Sequence, residues 1–390
     1  MGSDYARGLA PNLVRARMTG NPMHICFCIP AMDGGGAERT VSNLLSMLHD
    51  GGFHVTLLTY EASAAVSAYP LPEIPIARLD LLGGRGFSRI TKILARRRGI
   101  RRAIQRIDPD VVVSFMDTMN ITVLVALRGS RKPVIISERT DPAHHYLAGW
   151  KRLMRRLVYP SARRLVVQTQ RVAQYFDWMD NDKLAVIPNP VHPNENAAMP
   201  DVPGDDGRFR VVAVGRLSTE KGFEELIRAF ADLSGSFPLW DLFIYGEGGE
   251  RNALDALVHS VGAEGRVFLP GWRSDIEQVY SSAHLMAFPS RYEGFPNALC
   301  EAAAAGLPLI GFDGVCGVEE IIVDGENGIL IGDTDRFEGL RAALLTLMTD
   351  AHLRRSMGQQ AGQKISAWRP EQIAGMWQSL FEAVCDPGHR

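Results

Sequence analysis

Short apolar runs alternate with longer amphipathic stretches from Met23 almost to the end of the chain, and the alternation breaks once. HICFCIP (24–30), HVTLLTY (54–60), IARLDL (76–81), VVVSF (111–115), VIIS (134–137), RLVVQT (164–169) and LAVIP (184–188) have the length of buried strands. Between the first two, AERTVSNLLSMLHDGG (37–52) has helical spacing and closes on glycine. Strands apolar on both faces and separated by helices form a parallel sheet covered on both sides. The stretch 188–207, PNPVHPNENAAMPDVPGDDG, is rich in Pro, Asn, Asp and Gly and reads as a linker or hinge. A second series follows: FRVVAVG (209–215), DLFIYG (241–246), RVFLPG (266–271), LMAFPS (285–290), LPLIGF (307–312) and GILIG (328–332). The pattern predicts two successive α/β units, with PEQIAGMWQSLFEAVC from Pro370 as a closing helix.

Composition narrows the class. The 390 residues suit two domains of about 180 residues each. With 46% hydrophobic and 22% charged residues and a net charge of -2, a disordered or fibrous chain and wholesale nucleic-acid binding are excluded. No apolar run reaches the length of a membrane-spanning helix, and residues 1–20 lack the apolar centre of a secretory signal. Any membrane contact is then expected at the surface. Five scattered cysteines make no disulfide framework and point to a reducing compartment. Cys26 and Cys28 alternate along one strand and are expected to face the same core. Asp108-Pro109-Asp110 has the look of a metal site, but directly before VVVSF it reads as a helix-to-strand turn.

Three stretches carry candidate chemistry. In VVAVGRLSTEKG (211–222) a strand ends at Gly215, and Arg216 and Lys221 flank a loop that opens a helix. Unpaired N–H groups and the dipole at a helix start favour an anion, and two cations beside it suit a diphosphate. This is not a Walker loop, because Gly222 follows Lys221 where Ser or Thr is needed. In LMAFPSRYEGFPNALCEAAAAG (285–306), Glu293 lies in a loop and Glu301 a turn into the following helix, so both can face one cleft. Carboxylates accept hydrogen bonds from vicinal sugar hydroxyls. A glutamate beside Ala302–Ala305 would be costly to bury without a partner, which favours a ligand role for Glu301. In AMDGGGAER (31–39) small residues permit close backbone approach to a ligand. Its spacing, Gly34-x-Gly36-x-x-Arg39, lacks the last glycine of a dinucleotide fingerprint. Glu61 sits roughly where a ribose-binding acid would sit, which keeps an NAD-dependent enzyme open as an alternative.

Gly215-Arg216 with Lys221-Gly222, followed by Glu293-x7-Glu301 within EGFPNALCEAAAAGLP, resemble the signature of glycosyltransferase family 4 over roughly Met23 to Val384. The resemblance implies the GT-B fold and retention of anomeric configuration, with no resident cofactor or catalytic metal and the nucleotide sugar as substrate. It implies an N-terminal extension over 1–22, a Rossmann-like acceptor domain over 23–190, a linker over 191–208, a Rossmann-like donor domain over 209–369 and a helix over 370–390 closing back toward the first domain. Arg216 and Lys221 would contact the donor diphosphate, Glu293 the hexose and Glu301 the ribose. Gly215 and the backbone of Phe295, Pro296, Asn297 and Leu299 would line the donor. Gly34, Gly35 and Gly36 would form the loop beside phosphates and acceptor. Where the family often carries a histidine, this sequence has Ser137-Glu138-Arg139, which places Glu138 and Arg139 on the acceptor side. The string SERTDP is similar to that of family members that extend lipid-linked glycans. A non-catalytic binding protein of the same fold is disfavoured because all four signature residues are present.

Positive charge is dense in the first half. Lys92, Arg96, Arg97 and Arg101 are interleaved with apolar residues, and GWKRLMRRLVYPSARR (149–164) repeats the theme. Basic amphipathic helices bind anionic lipid surfaces or an acceptor diphosphate. The expectation is a cytoplasmic protein peripheral on the inner face of the membrane, taking a nucleotide-sugar donor and a lipid-linked glycan acceptor.

Overall fold

The structure is a computed structural model that describes residues 22–81, 89–143, 148–332 and 335–386. The expected N-terminal extension therefore lies almost wholly outside the described residues. Seven strands form the first sheet: β1 (His24–Cys28), β2 (His54–Thr59), β3 (Ile76–Arg78), β4 (Val111–Phe115), β5 (Val134–Ser137), β6 (Arg164–Val167) and β7 (Leu184–Val186). Their order is β3-β2-β1-β4-β5-β6-β7. The second sheet contains β8 (Phe209–Val214), β9 (Trp240–Tyr245), β10 (Val267–Gly271), β11 (Leu285–Ala287), β12 (Leu309–Phe312) and β13 (Gly328–Ile331). Their order is β10-β9-β8-β11-β12-β13. Every pairing between these strands is parallel, as expected for apolar runs separated by helices.

The helices of the first half are α1 (Gly36–Asp50), α2 (Arg89–Ile107), α3 (Asp117–Ala126), α4 (Gly149–Val158) and α5 (Gln170–Tyr175). Those of the second are α6 (Phe223–Ser234), α7 (Arg251–Ser260), α8 (Ile276–Ser281), α9 (Asn297–Ala304), α10 (Val318–Ile321), α11 (Arg336–Thr349), α12 (Ala351–Ile365) and α13 (Pro370–Cys385). Strand periodicity of two splits the first domain into two cores. Ile25 and Phe27 of β1 face one core, and Cys26 and Cys28 face the other. The two cysteines are thus core residues, and Asp108 and Asp110 occupy the turn between α2 and β4. There Asp108 pairs with Lys132 at 2.7 Å and Asp110 accepts the His24 amide at 2.8 Å.

The chain between β7 and β8 is fastened to the second domain. The Val191 amide donates to the Trp368 carbonyl, the Ala198 amide to Ala305 and Arg354 Nε to Pro200, at 2.8, 2.8 and 2.6 Å. The final helix crosses back: Ile373, Trp377, Phe381 and Val384 of α13 are buried in the first domain's core against α1 and β4. The lobes also touch directly through Arg171 and Glu319 at 3.1 Å. Both sheets reverse their strand order beside their first strand, and loops leaving the strands' carboxyl ends there form the natural ligand crevice.

Candidate active site

On the second domain, β8 ends at Val214 and Gly215 leads into the loop. Arg216 stands in solvent, 75% exposed, with Glu220 at 3.9 Å. Lys221 lies in a single tight turn, Thr219–Lys221, that closes on Gly222 with φ +64°. A side chain at Gly222 would strike the Pro289 carbonyl, so the junction between this turn and α6 accepts only glycine. Lys221 turns inward to Glu293, Nζ to Oε1 at 2.5 Å, and Ser290 Oγ donates to the same oxygen at 2.7 Å. The side chains of this pair are 16% and 13% exposed. The residue expected on the diphosphate and the residue expected on the hexose are thus one ion pair, each holding the other in place. Lys221 keeps further N–H donors for a ligand.

Helix α9 carries the second acidic residue. Positions 297, 298 and 301 share the face toward the crevice, while Leu299, Ala302 and Ala303 are buried in the second domain's core. The Leu299 side chain fills the core and does not line the cleft; the expectation concerned its backbone, whose amide donates to the Pro296 carbonyl at 3.0 Å. Phe295 and Pro296 are buried too but form part of the cleft wall with Gly294. A methyl group on Gly294 would press on the Arg139 carbonyl at 2.8 Å, so this loop meets the first domain backbone to backbone. Glu301 accepts from Arg39 Nη2 at 3.0 Å on Oε1 and from the Tyr280 hydroxyl at 3.2 Å on Oε2. Burial pushes its carboxyl above the usual range, and Arg39 and Tyr280 pull it back.

The first domain supplies the opposite wall. Gly35 and Gly36 line the cleft where α1 begins; Gly35, at the cap position, brings no side chain, and the Glu38 carboxylate of the first turn also lines the cleft and accepts from the Gly35 and Glu38 amides. Gly34, at φ +115°, turns the chain one step behind Gly35 and accepts the Tyr69 hydroxyl at 3.3 Å. Glu61 is spent on this loop: Oε1 accepts the Met32 amide at 3.0 Å in a buried setting, which removes it as a ribose acid. Of the pair after β5, only Arg139 lines the cleft. Its Nη1 donates to Asn189 Oδ1 at 2.9 Å, its guanidinium lies 5.1 Å from the Phe115 ring centre, and Nε and Nη2 have no protein partner. Glu138 is corrected to a position behind the wall, where it accepts the Tyr159 hydroxyl. Burial there pushes its carboxyl up to about 7.

Together these groups enclose a cleft of about 640 Å³, within the range of small-molecule sites. It contains Gly35, Gly36, Arg139, Gly215, Arg216, Lys221, Glu293 and Glu301. A narrower extension of about 80 Å³ continues past Arg39 and Glu301 to Tyr280 and His192. Arg39, Tyr280 and Asn189 were not singled out by the sequence as site residues. Asn189 links Arg139 to α9 by donating to Asn297 Oδ1 at 2.8 Å. Only Arg39 carried a signal, as the charged residue ending the glycine-rich stretch. Among the described residues no group of three or more His, Cys, Asp or Glu converges as a metal-ligand set.

The basic segments divide differently from expectation. The side chain of Lys92 lies outside the described residues. Arg96 lies over the Tyr60 ring at 4.9 Å, and Arg101 Nη1 donates to the Ala126 and Arg128 carbonyls at the end of α3, both at 3.3 Å. Those two cations are engaged by the protein, whereas Arg97 is exposed. The clearer amphipathic surface is α4, which exposes Trp150, Leu153 and Leu157 beside Arg152 and Arg156.

Residues 34–195 match the family model Glycosyltransferase Family 4, and residues 195–364 match Glycosyl transferases group 1. The chain is 27% identical over 373 residues to the Campylobacter jejuni GalNAc-alpha-(1->4)-GalNAc-alpha-(1->3)-diNAcBac-PP-undecaprenol alpha-1,4-N-acetyl-D-galactosaminyltransferase, covering 93% of this chain and 99% of that protein. It is 27% identical to the amylovoran biosynthesis glycosyltransferase AmsD of Erwinia amylovora, over 90% of this chain and 96% of that one. Among solved structures, Anabaena HepE in complex with UDP superposes with a TM-score of 0.76 at 18% identity, over 93% of this chain and all of that one.

Proposed function

The chain belongs to the glycosyltransferases of family 4 and group 1 and has their GT-B fold, and from that premise we propose that it transfers a hexose or N-acetylhexosamine, with retention, from a nucleotide sugar to a polyprenyl-diphosphate-linked glycan. The observation that carries the reading is the cleft itself. Arg216, Lys221, Glu293 and Glu301 line one wall and the start of α1 lines the other. A UDP-sugar is the favoured donor, supported by the UDP-bound relative, with GDP-mannose second. In this scheme Glu301 holds the ribose hydroxyls and Glu293 the hexose. Arg216 and Lys221 take up the charge that grows on the departing diphosphate. The acceptor hydroxyl attacks C1 from the side the phosphate leaves. The new C1–O bond forms as the old one breaks, and the leaving phosphate oxygen takes the hydroxyl proton. The protein contributes orientation and charge stabilisation, without a resident cofactor or metal.

The test is thermal melting with UDP, GDP, ADP and NAD. UDP or GDP is expected to raise the wild-type midpoint, and Glu301→Ala is expected to lose most of that rise, because a ligand stabilises the state it binds. A shift with NAD alone would transfer the site to another chemistry.

The same reading places the enzyme at the inner membrane surface, supported by α4. Its exposed Trp150, Leu153 and Leu157 beside Arg152 and Arg156 suit an anionic bilayer, at about 1 kcal/mol per cation near the surface. Replacing the three apolar residues with serine should abolish co-sedimentation with phosphatidylglycerol vesicles and leave binding of UDP unchanged. Undiminished co-sedimentation would remove α4 from the account.

A further inference from the structure

Arg39 stands where two compartments of the site meet. It lines both the broad cleft with Arg216 and Lys221 and the narrow extension with Tyr280 and His192. Its guanidinium reaches across from α1 of the first domain to Glu301 of the second, at 3.0 Å. Arg39 is half-exposed at 49%, against 24% for the Glu301 side chain, so Arg39 is not locked in this position. Glu301 does not depend on it for placement, because the Tyr280 hydroxyl holds the other carboxylate oxygen at 3.2 Å.

A sugar hydroxyl pair arriving at Glu301 competes for the oxygen that Arg39 occupies. A diphosphate attached to that sugar must then run from Glu301 toward Lys221 and Arg216 through the cleft that Arg39 lines. The displaced guanidinium therefore finds phosphate oxygens within the same compartment, which the start of its own helix also lines. Arginine suits this exchange because its planar fork pairs with carboxylate and phosphate alike.

We propose that Arg39 is a donor-binding residue that covers Glu301 in the empty enzyme and passes to the donor's phosphate oxygens when a ribose takes its place. The inference rests on the nucleotide-sugar reading above. It makes a nucleoside alone a poor ligand, since it must break the Arg39–Glu301 pair and offers nothing in return. A nucleoside diphosphate compensates by receiving Arg39.

The readout is the ratio of the Kd of uridine to that of UDP, by titration calorimetry, in wild type, Arg39→Gln and Arg39→Lys. Guanosine and GDP serve instead if GDP is what stabilises the wild type. Arg39→Gln should bind the nucleoside up to about fivefold more tightly, as expected for losing a surface ion pair. It should bind the diphosphate about tenfold or more weakly, as expected for losing a charged hydrogen bond. The ratio should accordingly fall by about tenfold or more, with Arg39→Lys between the two. A residue with a merely structural role would move both constants in the same direction. An unchanged ratio overturns the proposal even if both affinities drop. If Arg39→Gln melts well below the wild type, Arg39→Lys alone decides by the same criterion. If the wild type binds neither nucleotide, the nucleotide-sugar reading fails and this one with it. If the wild type binds and the ratio stays fixed, only the role of Arg39 is lost.

Discussion

Replacing Lys221 with alanine is expected to lower kcat/KM for the nucleotide sugar by about 10²- to 10³-fold, the cost of removing one preorganised donor from a site of developing charge. On the proposed mechanism the loss should fall mainly on kcat, because the charge assigned to Lys221 is greatest as the diphosphate departs. The structure adds a second component. Glu293 would lose its cation in a nearly buried setting, keeping only the Ser290 hydroxyl on that oxygen. Pairing Lys221→Ala with Glu293→Gln separates the two. If stranded negative charge causes the defect, the double variant recovers toward wild type; if lost charge stabilisation causes it, the double variant stays as slow. Steady-state kinetics with the donor identified by melting decides. A loss below about tenfold in Lys221→Ala would reduce the lysine to a structural partner of Glu293.

Replacing Trp377 with alanine is expected to cost about 3–5 kcal/mol, the range for truncating a fully buried large aromatic side chain. The damage should be local to the first domain. Trp377 sits with Phe115 and Phe381 at ring separations of 6.5 and 5.6 Å, in a core built from β1, β4 and α1. The rest of the chain from β8 onward belongs to the other lobe, so α13 is the tie by which the second half returns to the first. Calorimetric melting should resolve an early transition in the variant. A midpoint unchanged to within a degree would mean that α13 lies on the first domain without supporting it.

The fold was legible because it is written locally. Each of the thirteen strands among the described residues coincides with an apolar run, since a strand covered on both faces must be largely apolar. The single Pro/Asn/Gly-rich break marks the passage between the sheets, although the structure fastens it to the second domain through Val191, Ala198 and Pro200. The signature residues were legible because they lie in the two segments that leave β8 and β11, and carboxyl ends of parallel strands point into one crevice. What failed also has a local cause. Glu138 adjoins the cleft residue Arg139 in sequence. Burial beneath the wall pairs it with Tyr159. Arg96 and Arg101 belong to a basic run, but a ring and two carbonyls claim them individually.

By itself, the sequence determined two parallel α/β halves, the strands that end at the site, and the charged residues those strands deliver. Spacing fixes such features, because the periods of helix and strand act over a few residues. Only the tertiary structure decided which delivered charges meet. Lys221 finds Glu293, Arg39 finds Glu301, Arg139 finds Asn189, and α13 finds the first core. Each of these contacts joins residues far apart along the chain. No local periodicity encodes them: Lys221–Glu293 and Arg139–Asn189 depend on the order of strands within one sheet, and Arg39–Glu301 and α13 on how the two domains are held face to face.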